Sequence, residues 1–156
     1  MKTPTKKKNQ TRAARAKRST KTIVLKDSVF GKRDTGKEPK AELRHVAWSS
    51  VVVEQLNPLL GRHFVVGQDI MLSRVLLKKG CIVPEHSHHN EQISYVTKGA
   101  LKFWIDGKEI IVSEGEVLAI PRNMPHKVEA IRDSVSLDIF NPPRADWINK
   151  TDVYLR

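Results

Sequence analysis

Apolar and polar positions alternate in short runs along most of the chain beyond residue 60. Arg62 to Val66, Ile70 to Leu77, Gln92 to Thr97, Ala100 to Ile105, Lys108 to Val112, Val117 to Ile120, His126 to Ile131 and Ser134 to Phe140 each read as a strand. Gly67-Gln68-Asp69, Lys78-Lys79-Gly80, Lys98-Gly99 and Ser113-Glu114-Gly115 turn the chain between them. Asp106-Gly107 is a strong two-residue hairpin signal. Asn141-Pro142-Pro143 stops the sheet, because neither proline can donate to a ladder. Ala145 to Ile148 is expected to form a short helical turn, and no long helix is expected anywhere. Many short strands with regularly spaced turns predict an all-β antiparallel sandwich or barrel. A double-sheet jelly roll is one way for such a fold to hide its edges.

Composition divides the chain in two. The net charge is +11 over 156 residues. Residues 1–40 hold 14 Lys and Arg against 3 Asp and Glu, whereas residues 41–156 hold 14 of each. The imbalance therefore belongs to one end, and the body is neutral. Residues 1–22 contain no acid, no aromatic and, Met1 apart, no aliphatic side chain larger than alanine. So little apolar surface does not offset chain entropy, so a disordered tail is expected. It is either a solvated tail or a salt-sensitive, sequence-independent grip on nucleic acid or an anionic surface. No aromatic is interleaved for base stacking. A linker or an edge strand is expected around Ile23 to Leu25. The expected division is thus 1–40, tail and linker, and 41–156, barrel with a C-terminal segment.

A single cysteine, Cys81, excludes an intramolecular disulfide and fits a reducing compartment. Ile23-Val24-Leu25 falls far short of a secretory apolar core of about 7–15 residues. No apolar run approaches the roughly 20 residues of a membrane span. A cytoplasmic protein is expected.

The candidate chemistry gathers at Pro84-Glu85-His86-Ser87-His88-His89-Asn90-Glu91-Gln92. Neutral imidazole is the commonest protein ligand for first-row transition metals. If the run stays extended, His86, His88 and Gln92 share one face by parity, and His89 points elsewhere. His126, after a Pro-rich turn, can close the set. Glu91 is the rival oxygen ligand by charge, and Gln92 is favoured by parity and spacing. A chance cluster of surface histidines is the alternative to a metal site. The ligand types suit zinc, iron, nickel, manganese or copper without choosing among them. On the last strand, Ser136, Asp138 and Phe140 share a face. Asp138 is a candidate general base, Phe140 a flat apolar wall, and Arg144 a bidentate anchor for a carboxylate. The competing reading is an Asp138–Arg144 salt bridge that only ties down the C-terminal segment. Arg74 shares parity with Leu72 and Leu76 and is either a second anion anchor inside the barrel or a sheet-face salt-bridge partner. Phe103 and Trp104 are assigned to core or interface, Trp48 and Trp147 to the barrel ends, and Cys81 to a packed thiol.

Two spaced motifs carry a resemblance. Gly80-x5-His86-x-His88-x3-Gln92-x6-Gly99 resembles the first cupin motif, and Gly115-x5-Pro121-x-Asn123-x2-His126 the second. The resemblance implies a double-stranded β-helix (jelly-roll) barrel holding one divalent metal through His86, His88, Gln92 and His126. Gln92 stands where glutamate is usual, Asn123 where glycine is usual, and Ala130 where the second motif ends in asparagine. His86-Ser87-His88-His89-Asn90-Glu91-Gln92 and Asp138-Ile139-Phe140-Asn141-Pro142-Pro143-Arg144 resemble the small cupins of the pectin-degradation KdgF type. That implies conversion of unsaturated uronates, small carboxylated sugars, to the linear keto form, with Asp138, Phe140 and Arg144 taking part. It also implies a possible homodimer. Two alternatives stay open: a metal-dependent dioxygenase of the quercetinase kind, and a non-catalytic metabolite-sensing cupin with a nucleic-acid-binding tail.

Overall fold

A computed structural model of the protein describes residues 42–156; the expected basic tail and the possible strand near Ile23 lie outside these residues. Ten strands follow one another: β1 Glu54–Asn57, β2 Leu60–Val66, β3 Met71–Leu77, β4 Ile82–His86, β5 Glu91–Lys98, β6 Ala100–Ile105, β7 Lys108–Ser113, β8 Val117–Ile120, β9 His126–Ala130 and β10 Ser134–Asn141. A single helical turn, α1, spans Ala145–Ile148, and 3-10 turns occupy Trp48–Ser50 and Val153–Leu155. The strands form two antiparallel sheets, ordered β1-β2-β3-β10-β5-β8 and β4-β9-β6-β7. This is the expected jelly roll. The Asp106-Gly107 hairpin forms with both residues at positive φ, 52° and 69°.

Strand β1 was not anticipated. Glu54-Gln55 is polar, and the strand is short and lies at the sheet edge, so it carries no alternation to read. Strand β4 ends at the first histidine of the cluster.

The inner face of the six-stranded sheet can be read as rows of side chains. Cross-strand register aligns Gln92 with Phe140 and Met71, then Ser94 with Asp138 and Ser73, then Val96 with Ser136 and Val75. The four-stranded sheet supplies the opposite wall. There His86 faces His126 and then Ile105, and Val83 faces Val128 and then Phe103. One end of the barrel is therefore polar. The rest is a conventional core of Leu60, Leu77, Leu101, Phe103 and Val112, all at most 4% exposed. Each such side chain contributes on the order of 1.5–3 kcal/mol relative to exposure.

Strand β3 decides between the two readings of Arg74. Met71, Ser73, Val75 and Leu77 point inward, so Arg74 faces outward with Leu72 and Leu76. The inward arginine is Arg62, 1% exposed. Its Nε and Nη2 donate to Glu54 at 3.1 and 3.0 Å. Its Nη1 lies 2.6 Å from Asp152 Oδ2, an ion pair whose geometry falls short of a hydrogen bond. The guanidinium also covers the Trp147 ring at 4.2 Å. Arg156 bonds Glu54 and Asp152 in turn, at 2.7 and 3.3 Å. This four-residue charge cluster fastens the last turn, and with it Tyr154, to the barrel. Phe103 lies in the core and Cys81 is a buried thiol whose pKa burial raises. Trp104 packs on the outer face between Lys102 and Lys127, 4.8 and 4.6 Å from its ring.

Candidate metal centre

Ligand-capable atoms of His86, His88 and His126 lie within 4.8 Å of one another. The reason is topological. Strands β4 and β9 place His86 directly opposite His126. A register shift between Val83 and His86 marks a bulge just before the histidine. The chain then leaves β4, bends through residues 87–90 and enters β5 of the other sheet. His88 therefore sits in a crossing between sheets rather than on an extended strand. The parity argument selected it although its premise of continuous extension does not hold. The Asn123 N–H donates to the His88 carbonyl at 2.8 Å, and Asn123 adopts φ 61°, the left-handed conformation expected at the usual glycine position.

Each imidazole is aimed by a main-chain carbonyl. Nδ1 of His86 bonds Pro84 O at 2.8 Å, Nδ1 of His88 bonds Asn90 O at 3.0 Å, and Nδ1 of His126 bonds Met124 O at 2.9 Å. A carbonyl only accepts, so each Nδ1 carries the proton and each Nε2 presents a lone pair. Burial keeps the rings neutral, which is the ligating form. It lowers the pKa of His86 to about 3, helped by His126, Arg144 and His88, and that of His88 to about 4, helped by Arg144 and His126. His126 moves in the same direction, again through burial and then Arg144.

Gln92 lies against the triad. It is 6% exposed, whereas Glu91 and His89 face solvent, so the carboxylate points away from the histidines. Oε1 of Gln92 lies 3.1 Å from His88 Nε2, and Nε2 of Gln92 donates to Ser94 Oγ at 2.8 Å. With the His88 proton committed to Nδ1, two lone pairs face each other across that 3.1 Å. A shared cation turns such a contact from repulsive to favourable. Three neutral imidazoles and an amide oxygen fit a divalent transition metal, and being uncharged they would leave its full positive charge for a substrate.

Asp138 lies in the row next to Gln92, on the inner face of β10. Ser136 donates to its Oδ1 at 2.6 Å. Desolvation raises the pKa of the carboxyl, opposed by hydrogen bonds from Ser136 and Ser94 and by the charge of Arg144. Arg144 does not pair with Asp138. Its Nε and Nη2 form a fork with Asp146 at 2.9 and 2.7 Å, and Nη2 also donates to the Tyr154 hydroxyl at 2.7 Å. The guanidinium stands 5.3 Å from the Phe140 ring and 4.9 Å from the Trp147 ring. Phe140 meets His88 edge-on at 5.7 Å. His86, Gln92, His126, Asp138, Phe140 and Arg144 line one cavity.

Four residues of this surround were not singled out from the sequence. Tyr154 stacks on His86 at 4.7 Å and 28°. Asn90, 1% exposed, donates to Pro142 O at 2.6 Å and so joins the histidine bend to the segment bearing Arg144. Ser73 and Ser94 are 0% and 1% exposed in the Asp138 row. The serines had a signal: a hydroxyl at a core-facing strand position. Tyr154 and Asn90 act across long sequence separations and had none.

A two-sheeted jelly roll with a histidine triad at one end defines a cupin-type barrel. Comparison with known proteins agrees. The cupin domain model matches residues 73–140. The pectin degradation protein KdgF of Dickeya dadantii (strain 3937) is 32% identical over 98 residues, covering 61% of this chain and 89% of that protein. KdgF from Halomonas sp. superposes with a TM-score of 0.64 at 25% identity, covering 68% of this chain and 99% of that one. An RmlC-like cupin from Shewanella frigidimarina NCIMB 400 shares the fold at 22% identity and a TM-score of 0.63, covering 70% and 99%. The chain belongs to the small, KdgF-like cupins. No helix among the described residues is long and apolar enough to cross a membrane.

Proposed function

We propose that the protein is a metal-dependent enzyme that converts an unsaturated uronate, or a similar small carboxylated sugar, to its linear keto form by proton transfer. The observation that carries this reading is that Asp138 lines the same cavity as His86, His126, Phe140 and Arg144. Similarity to a pectin degradation protein supports the substrate class. His86, His88, Gln92 and His126 would hold the metal, which when bound would polarise a substrate oxygen and stabilise an enolate-like state.

The protein's own groups do the rest. Asp138 takes a proton from one position of the sugar and returns it at another, so the conversion is redox-neutral and consumes no proton. Ser136 and Ser94 hold the carboxylate in place during that exchange. Arg144 keeps Nη1 for the substrate carboxylate while Asp146 and Tyr154 fix the other edge of its guanidinium. Phe140 walls the sugar ring, and burial of the cavity strengthens each of these polar contacts. The test is metal analysis of the purified protein, followed by assays on unsaturated uronates with and without oxygen. Turnover that survives anaerobiosis, and is lost in folded Asp138→Ala and His86→Ala variants, is expected. Oxygen uptake would instead indicate a dioxygenase, and unchanged turnover in both variants would overturn the proposal.

A further inference from the structure

We infer that Ser94 is a positioning residue that turns the Gln92 amide so that its oxygen, not its nitrogen, faces the histidine triad. The inference rests on the metal-site part of the proposed function and is independent of the substrate.

An amide ligand has a problem that a carboxylate does not. Its two ends are nearly the same shape, and only the oxygen can bind a cation. Something must distinguish them, and inside this barrel water does not. Gln92 is 6% exposed and Ser94 1%. They are neighbours on the same face of β5, and Gln92 Nε2 donates to Ser94 Oγ at 2.8 Å. The direction of that bond depends on where the serine proton goes. Ser94 is in direct cross-strand register with Asp138 on the inward face of the sheet, which sets its hydroxyl beside that carboxyl. A carboxylate only accepts, so a serine proton directed at Asp138 leaves the oxygen with a lone pair for Gln92. The amide N–H takes it, and Oε1 is left pointing at His88 Nε2, 3.1 Å away. Ser94 thus stands between the candidate base, its cross-strand neighbour, and a candidate ligand, to which it is hydrogen-bonded. Ser136 donates to Asp138 at 2.6 Å but makes no hydrogen bond to Gln92 among the described residues. It serves as the control.

The logic gives a test in which the carboxylate variant makes the serine dispensable. Glutamate at position 92 has two equivalent oxygens and needs no turning. Co2+ affinity is measured by competition with a chelator, and the visible absorption of the bound ion reports its coordination. In the parent background, Ser94→Ala is expected to weaken Co2+ binding by about 10-fold or more, the usual effect of removing a group that orients a ligand, and to alter the absorption. In the Gln92→Glu background the same substitution is expected to change affinity by less than about twofold, and Ser136→Ala is expected to leave Co2+ affinity unchanged in the parent. Circular dichroism and thermal melts establish that each variant is folded. Equal losses from Ser94→Ala in both backgrounds, or no loss in the parent, would overturn the assignment. A parent that binds no Co2+ would remove the metal reading and this inference together. Failure to turn over uronates, with the affinity pattern intact, would remove only the substrate.

Discussion

Tyr154 stacks on His86 and accepts a 2.7 Å hydrogen bond from Arg144, so one side chain from the final turn touches both a candidate ligand and the candidate carboxylate anchor. Tyr154→Phe keeps the stack and deletes only the hydroxyl. A hydrogen bond to a charged group contributes about 1.5–3 kcal/mol, so kcat/KM for a carboxylated sugar is expected to fall roughly tenfold or more, chiefly through KM. Steady-state kinetics would show this, and an unchanged KM would separate Tyr154 from substrate binding.

The final turn itself hangs on Arg62. Asp152 is 1% exposed, and its loss would leave Arg62, equally buried, with Glu54 as its remaining acidic partner. Breaking a buried pair by removing one partner costs about 3–5 kcal/mol, so Asp152→Ala should lower the free energy of unfolding on that scale in urea titrations. Lys78→Ala, which breaks the exposed Lys78–Asp133 pair, is expected to leave the midpoint nearly unchanged.

Asp138 should show a cost in stability for its role. Its folded-state pKa is raised, so the native state holds the proton more tightly than the unfolded chain does, and stability falls as pH rises above the ordinary aspartate range. Asp138→Asn removes the buried charge while keeping the shape. The variant is expected to melt higher than the parent at neutral pH, with the difference vanishing in acid, and to lose turnover. A lower melting temperature at neutral pH would contradict this account.

The histidines have the opposite sign. Their folded-state pKa values lie below the ordinary histidine value, to about 3 for His86 and about 4 for His88. As pH falls through about 6.5 the unfolded chain takes up protons that the native state refuses. Chelator-treated protein is therefore expected to lose stability progressively from about pH 6.5 toward pH 4. Urea midpoints measured across that range should fall, and His86→Ala should flatten the slope.

Local signals explain what the sequence disclosed. Alternation of side chains marked nearly every strand of the two sheets, and Asp106-Gly107 marked its hairpin, because both depend on neighbours in the chain. Candidate ligands were legible because imidazoles are rare and here lie two residues apart. Arg74 was ambiguous because period two tells which residues share a face, not which face is inside. Arg144 was read with Asp138 because both belong to one motif, whereas its guanidinium turns to Asp146, two residues on. Tyr154 and Asn90 were invisible for a different reason. Their contacts, with His86 and with Pro142, close loops of dozens of residues, and no spacing rule reaches that far.

The three imidazoles take their direction from the carbonyls of Pro84, Asn90 and Met124, groups that every amino acid possesses. Orientation of the triad is thus inherited through the path of the chain and not through particular side chains. Most substitutions at those three flanking positions would leave the aim of the rings intact as long as the backbone keeps its course. Gln92 is the exception, since its direction comes from a neighbouring hydroxyl. Evolutionary drift around the site should therefore be tolerated beside the histidines and penalised beside the amide, unless position 92 changes to an acid at the same time.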